Sequence, residues 1–169
     1  MRLDPGIFIM KVKIGVLSDT HLKRVTGKLE KIYKQHLLET DAVLHAGDHV
    51  SIDVVDFLSK DNFHGVYGNM DPDDVREILP DKKVIELGSH KIGLIHGWGS
   101  SEGLEDRILP EFQDVDIIVY GHSHHAVNHM KEGILFFNPG TAIGYSSFGP
   151  HTIGILEIND KIQGKIIII

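Results

Sequence analysis

The sequence predicts an α/β fold with α+β character: two packed mixed β-sheets flanked by helices, a four-layer α-β-β-α sandwich. Three observations point there. The first half alternates short apolar runs with amphipathic stretches, as strand–helix–strand units do. The second half pairs apolar runs around glycine-bearing turns, as hairpins do. The strands are also too many for one small sheet, and two sheets packed together with helices outside absorb them.

In chain order, residues 1–9 read as an N-terminal extension without fixed structure, and residues 10–169 as one domain, with Met10 an alternative start. "KVKIGVL" (Lys11 to Leu17) is a strand. Gly27 to Leu38 is a helix, with Leu29, Ile32, Tyr33 and Leu37 at helical spacing. "AVLHA" (Ala42 to Ala46) is a short buried strand. Ser51 to Ser59 is a helix with Ser51 as N-cap and Val54, Val55 and Leu58 inward. "FHGVYG" (Phe63 to Gly68) is a third strand. "KVIELGSHKIGLIHG" forms a hairpin turning at Gly88-Ser89, and Leu104 to Phe112 a helix. "DIIVYG" is a strand, "AVNHMKEGILFFN" a hairpin turning at Glu132-Gly133, and "TIGILEINDKIQGKIIII" a last one turning near Asn159-Asp160. The terminal "KIIII" reads as a buried strand; at a sheet edge it could also pair two copies into a homodimer.

Composition narrows the function. The 169 residues carry 17 basic and 24 acidic side chains, a net charge of −7. That balance disfavours nucleic acid as a stable partner, since gripping its backbone needs clustered Lys and Arg. It leaves room for a small phosphorylated substrate at a locally cationic site. There is no cysteine, which excludes disulfides and thiolate metal sites. No apolar run is long enough to span a bilayer and the N-terminus lacks signal-peptide order, so a cytoplasmic protein is expected.

Polar residues recur where apolar strands stop. "SDTH" supplies Asp19 and His21, "GDH" Asp48, "GNMD" Asn69 and Asp71, "HGWG" His96, and "GHSHH" His122 and His124. Ligands bind beyond the carboxyl ends of parallel strands, so one site built from five loops is the economical reading. Asp19 with His21, and His122 with His124, lie two apart; in extended chain each pair shares a face, while Thr20, Ser123 and His125 point away. Seven ligands (Asp19, His21, Asp48, Asn69, His96, His122, His124) are too many for one tetrahedral ion and suit two ions sharing a carboxylate. Imidazole, carboxylate and amide donors without sulfur favour manganese, iron, cobalt, nickel or zinc over calcium or magnesium. Two such ions about 3.5–4 Å apart clamp an in-line displacement at phosphorus.

In order and spacing, these motifs resemble the calcineurin-like metallophosphoesterase family, and the short chain resembles its small single-domain prokaryotic phosphodiesterase branch. "NPGT" (Asn138 to Thr141) resembles a further segment of that branch. The resemblance implies a phosphodiesterase with two divalent transition-metal ions, manganese foremost. Asp19, His21, Asp48 and His124 would hold one ion; Asp48, Asn69, His96 and His122 the other. A hydroxide bridging the ions would attack phosphorus in line. Asp48, Asn69, Asp71 and His122 are the residues taken as catalytic, with Asp71 a buttress rather than a titrating group. The alternative is a non-catalytic metal-binding interaction scaffold, as the retromer subunit that resembles this family has become. An amidohydrolase barrel needs about 250 residues and does not fit.

One position departs from the family. Many members carry His between the Asn and Asp of the third motif, where it protonates the leaving group; here the residue is Met70, which has no useful proton. His49 and His125 are neighbours that could substitute.

Other features have plainer readings. Gly68-Asn69 fits a tight turn with left-handed backbone, and Asn138 and Gly140 could take positive φ. His45 reads as a hydrogen-bonded structural residue. His36, His64, His90 and His151 need no function, and His129 is an exposed strand residue. Trp98, between glycines, is either a substrate platform or a core residue.

Overall fold

The computed structural model describes residues 11–60, 62–146 and 149–169. The expected N-terminal extension lies outside them.

Ten strands fall into two five-stranded sheets. The first runs in the order β10 (Ile162–Ile168), β9 (Thr152–Ile158), β1 (Val12–Leu17), β2 (Ala42–His45), β3 (Phe63–Gly65). The second runs β4 (Lys82–Leu87), β5 (His90–Ile95), β6 (Ile117–Val119), β8 (Ile134–Pro139), β7 (Ala126–Lys131). Both sheets are mixed. β1, β2 and β3 are mutually parallel, as are β5, β6 and β8, while β9, β10, β4 and β7 join antiparallel.

The pleat sorts side chains into three apolar layers. Ile14 and Val16 of β1, Leu44 of β2, Ile117 and Val119 of β6, and Leu135 and Phe137 of β8 meet between the sheets. The opposite parity goes outward. Leu17 and Val43 pack under α1 (Gly27–Ile32) and α2 (Ile52–Leu58). Ile118 and Phe136 pack under Leu104 and Ile108 of α4 (Leu104–Ile108). The four-layer expectation is met, and each layer follows from period-2 alternation crossing period-3.6 stripes.

Most elements lie where the sequence places them, with a few differences. The first helix turns π-helical over Tyr33–Leu37, where Leu38 N–H bonds Tyr33 O at 2.9 Å. The third strand stops at Gly65, because the chain then leaves the sheet toward the site. A helix that sequence reading missed, α3 (Asp73–Ile78), follows Pro72 and buries only Val75, too little for a visible stripe. Its signal was the start: Pro72, then Asp73 and Asp74 in the first turn. The terminal "KIII" segment is the outermost strand of its sheet and stays partly exposed, not buried. No helix among the described residues is long and apolar enough to cross a membrane.

Candidate metal centre

The loops after β1, β2 and β3 of the first sheet carry Asp19, His21, Asp48 and Asn69. The loops after β5 and β6 of the second carry His96, His122 and His124. All seven converge. His124 Nε2 lies 3.2 Å from Asp19 Oδ1 and 3.3 Å from His21 Nε2. Asp48 Oδ2 lies 3.8 Å from His21 Nε2 and 3.4 Å from His96 Nε2. Asn69 Oδ1 lies 3.1 Å from His96 Nε2 and 3.0 Å from His122 Nδ1.

The backbone that achieves this is not the extended chain of the pairwise-spacing argument. Asp19 (φ 53°), His21 (φ 48°), Asp48 (φ 60°), His122 (φ 68°) and His124 (φ 58°) are all left-handed. Asp and His tolerate that region better than most residues, so each loop turns sharply at each ligand. Val50 (φ 75°), β-branched, is the costly one, and its N–H is held by Asp71 Oδ1 at 2.6 Å. Neither Gly68 nor Asn69 has the positive φ expected of them. Glycine is needed at 68 for a close approach instead: a Cβ there would meet Asp48 N at 2.6 Å.

Asp71 does not present its carboxylate to the cluster. Its Oδ2 accepts from Asp48 N–H (3.0 Å), Gly68 N–H (2.9 Å) and His49 Nδ1 (3.1 Å). It thereby fastens the loop of Asp48 to the loop of Asn69. Burial alone would raise the Asp71 carboxyl, but His49 and these backbone donors hold it well below the usual range. His49 is fully buried in that bond and stacked on His45 at 3.7 Å, which removes it as a proton donor to substrate. His45 is hydrogen-bonded to Thr20 Oγ1 (3.1 Å) and Gly47 N–H (3.2 Å), the structural role expected of it. His125 turns from the cluster into a separate cleft shared with Tyr120 and Lys131.

Several supports were not legible in the sequence. Ser18 Oγ donates to Asp19 Oδ2, which also accepts from His122 N–H at 3.1 Å. Arg76 of α3 donates to the carbonyls of Asp71 (2.7 Å), Gly68 (3.0 Å) and Asn69 (3.0 Å). "NPGT" is a brace: Asn138 Nδ2 donates to Gly121 O and Ser123 Oγ, both at 3.0 Å, and Thr141 Oγ1 donates to Asp19 O at 2.8 Å.

The donor set fits divalent cations. Asp19 Oδ1 is buried with no hydrogen-bond partner, yet it faces two imidazole nitrogens. Asp19, His21 and His124 offer ligand atoms within 4.8 Å of one another, and so do Asp19, Asp48 and His96. Burial would raise the Asp19 carboxyl, but His124, His21, His96 and Ser18 hold it far below its ordinary value. Burial would lower His96, but Asp48 and Asp19 raise it; His124 is raised chiefly by the Asp19 carboxylate that faces it. Ionised carboxylates among proton-hungry imidazoles make a site that a cation satisfies by displacing protons. His96 Nδ1 meets Ala46 O at 2.7 Å and His122 Nε2 meets Gly99 O at 2.7 Å, which fixes the tautomers and turns the opposite nitrogens to the centre.

Known proteins resemble this chain in sequence and fold. Residues 12–161 match the model of the calcineurin-like phosphoesterase superfamily domain. A phosphodiesterase of Methanocaldococcus jannaschii is 33% identical over 172 residues, covering 93% of this chain and 99% of that one. A solved archaeal phosphodiesterase superposes with a TM-score of 0.70 at 28% identity, covering 93% and 99% of the two chains. Vps29 of Entamoeba histolytica, solved with zinc, superposes with a TM-score of 0.65 at 26% identity over 92% and 98%.

Proposed function

The chain belongs to the calcineurin-like phosphoesterase superfamily, and from that premise we propose that it is a phosphodiesterase that works with two divalent transition-metal ions, manganese foremost, and displaces the leaving oxygen in line. The observation that carries this reading is Asp48 Oδ2, lying between His21 and His96 at 3.8 and 3.4 Å, where one carboxylate can serve two neighbouring donor groups. Asp19, His21 and His124 complete the first group; Asn69, His96 and His122 complete the second. Ions held there would supply positive charge to the phosphoryl oxygens and lower the pKa of a nucleophilic water.

The chain's own residues do the rest. Asp71 and Arg76 fix the Asp48 and Asn69 loops from beneath. Ala46 and Gly99 carbonyls hold the two imidazoles in register. Met70, 57% exposed beside Asn69, offers the departing oxygen no proton. Diesters with acidic, aryl leaving groups are therefore the preferred substrates, because they depart without protonation.

The test is a matrix of metals against aryl monoesters, aryl diesters and nucleotide diesters. Manganese-dependent turnover of an aryl diester is the expected result, and no turnover under any metal removes the reading. The second reading, a metal-binding interaction scaffold, is favoured by the likeness to Vps29. It predicts bound ions with no turnover of any ester.

A further inference from the structure

Beside the second donor group opens a cleft of about 270 Å³ that contains Asn69 and His96 in its wall, together with Tyr67, Arg76, Lys82 and Trp98. Trp98 is the one tryptophan of the chain, and it is 45% exposed. An indole left half in water forgoes a large apolar burial, so what holds it there matters. The loop beneath it is fixed. Arg107 donates to the carbonyls of Trp98 (3.2 Å) and Glu102 (2.9 Å), and also to that of Ser100. The neighbouring Gly99 carbonyl takes the His122 imidazole at 2.7 Å. Gly97 (φ 98°) and Gly99 (φ 79°) flank the ring, so no adjacent side chain covers it. Arg76 lies over the Tyr67 ring at 4.8 Å, giving the cleft a second planar surface with a cation on it. Lys82, paired with Glu111 at 2.6 Å, adds polar groups to the same wall.

We propose that this cleft is a substrate subsite that receives a planar aromatic ester group of the phosphodiester, stacked on Trp98, beside the ion held through Asn69 and His96. The inference rests on the phosphodiesterase reading and sharpens it to aromatic diesters. An aryl group and a nucleobase share the recognising chemistry, a flat π-face. They differ in ring heteroatoms, which the Lys82–Glu111 pair could bond.

Because Trp98 is the sole tryptophan, its fluorescence reports the subsite directly. The manganese-loaded protein is titrated with inorganic phosphate, methyl phosphate, phenyl phosphate and thymidine 5′-monophosphate. Phenyl phosphate and the nucleotide should quench and bind about tenfold more tightly than methyl phosphate, the scale of one base–aromatic stack. Phenyl phosphate equal to the nucleotide assigns an aryl site; the nucleotide tighter assigns a base site; either supports the subsite. By calorimetry, Trp98→Leu should weaken binding of phenyl phosphate and thymidine 5′-monophosphate about tenfold while leaving that of methyl phosphate unchanged. Equal quenching by methyl and aromatic phosphates, or a proportional loss of affinity for all three monoesters in Trp98→Leu, overturns the subsite while leaving the hydrolase reading intact. No turnover with any metal and any ester overturns the hydrolase reading, and the subsite falls with it.

Discussion

His21 Nε2 and His124 Nε2 face each other at 3.3 Å across 103 residues of sequence. Two imidazole nitrogens that close share either one proton or one cation. With Asp19 Oδ1 at 3.6 and 3.2 Å from the pair, a cation is the better guest.

Metal should therefore behave as a folding ligand. At a free manganese concentration a hundredfold above Kd, linkage adds about 2.7 kcal/mol to stability. Calorimetric melts with and without manganese check this. His124→Ala should lose one of the two ions per chain by elemental analysis and about half of the metal-induced shift. An unchanged shift in the variant would assign the ion elsewhere.

Asp48→Asn keeps the shape of the side chain and its bond from Met70 N–H, 2.7 Å from Oδ1, but removes the negative charge and turns the oxygen facing the centre into an NH2 group. Hydrolysis of an aryl diester should fall by more than about a hundredfold, the upper end of the cost of losing a mere orienting partner. The circular dichroism spectrum should not change. Substantial retained turnover refutes the bridging role.

Met70→His places a titratable ring at an exposed position next to Asn69. Turnover of alkyl-leaving-group diesters should rise, by at most about 10²-fold, and aryl diesters much less. The readout is the ratio of the two kcat values; an equal effect on both removes the leaving-group argument.

Acid should act through His45. Burial, then the neighbouring His49, lower its pKa well below 6.5. The unfolded chain then takes up a proton that the folded chain refuses. Stability from this source is present above pH 6.5 and is lost as pH falls below it. Asp71, also held below its ordinary value of 3.8, loses its contribution only in stronger acid. Urea midpoints from pH 7.5 to 5 should shift in favour of His45→Gln relative to the unmutated chain, a comparison in which other histidines cancel. A pH-independent gap would count against the buried neutral ring.

The sequence showed the centre better than its supports. Strand ends followed by Asp, Asn or His are local signals, so all seven converging residues were legible. The reason for their convergence was not: pleat parity suggested it, but left-handed backbone at Asp19, His21, Asp48, His122 and His124 produces it. The bracing roles of Arg76, Arg107 and Asn138 were not legible, because these side chains bond backbone carbonyls of other loops, a relationship with no period along the chain. His49 looked available as an acid because adjacency to Asp48 says nothing about burial. Trp98 stayed undecided for the same reason.

Each proposed ion draws ligands from both sheets: Asp19, His21 and Asp48 with His124, and Asp48 and Asn69 with His96 and His122. The apolar layer between the sheets resists separation only through many weak contacts. A pair of ions at the rim acts as a rivet through both plates. Pulled apart mechanically or melted, the loaded protein should yield as one body, whereas the stripped protein has a seam along which one sheet can let go before the other.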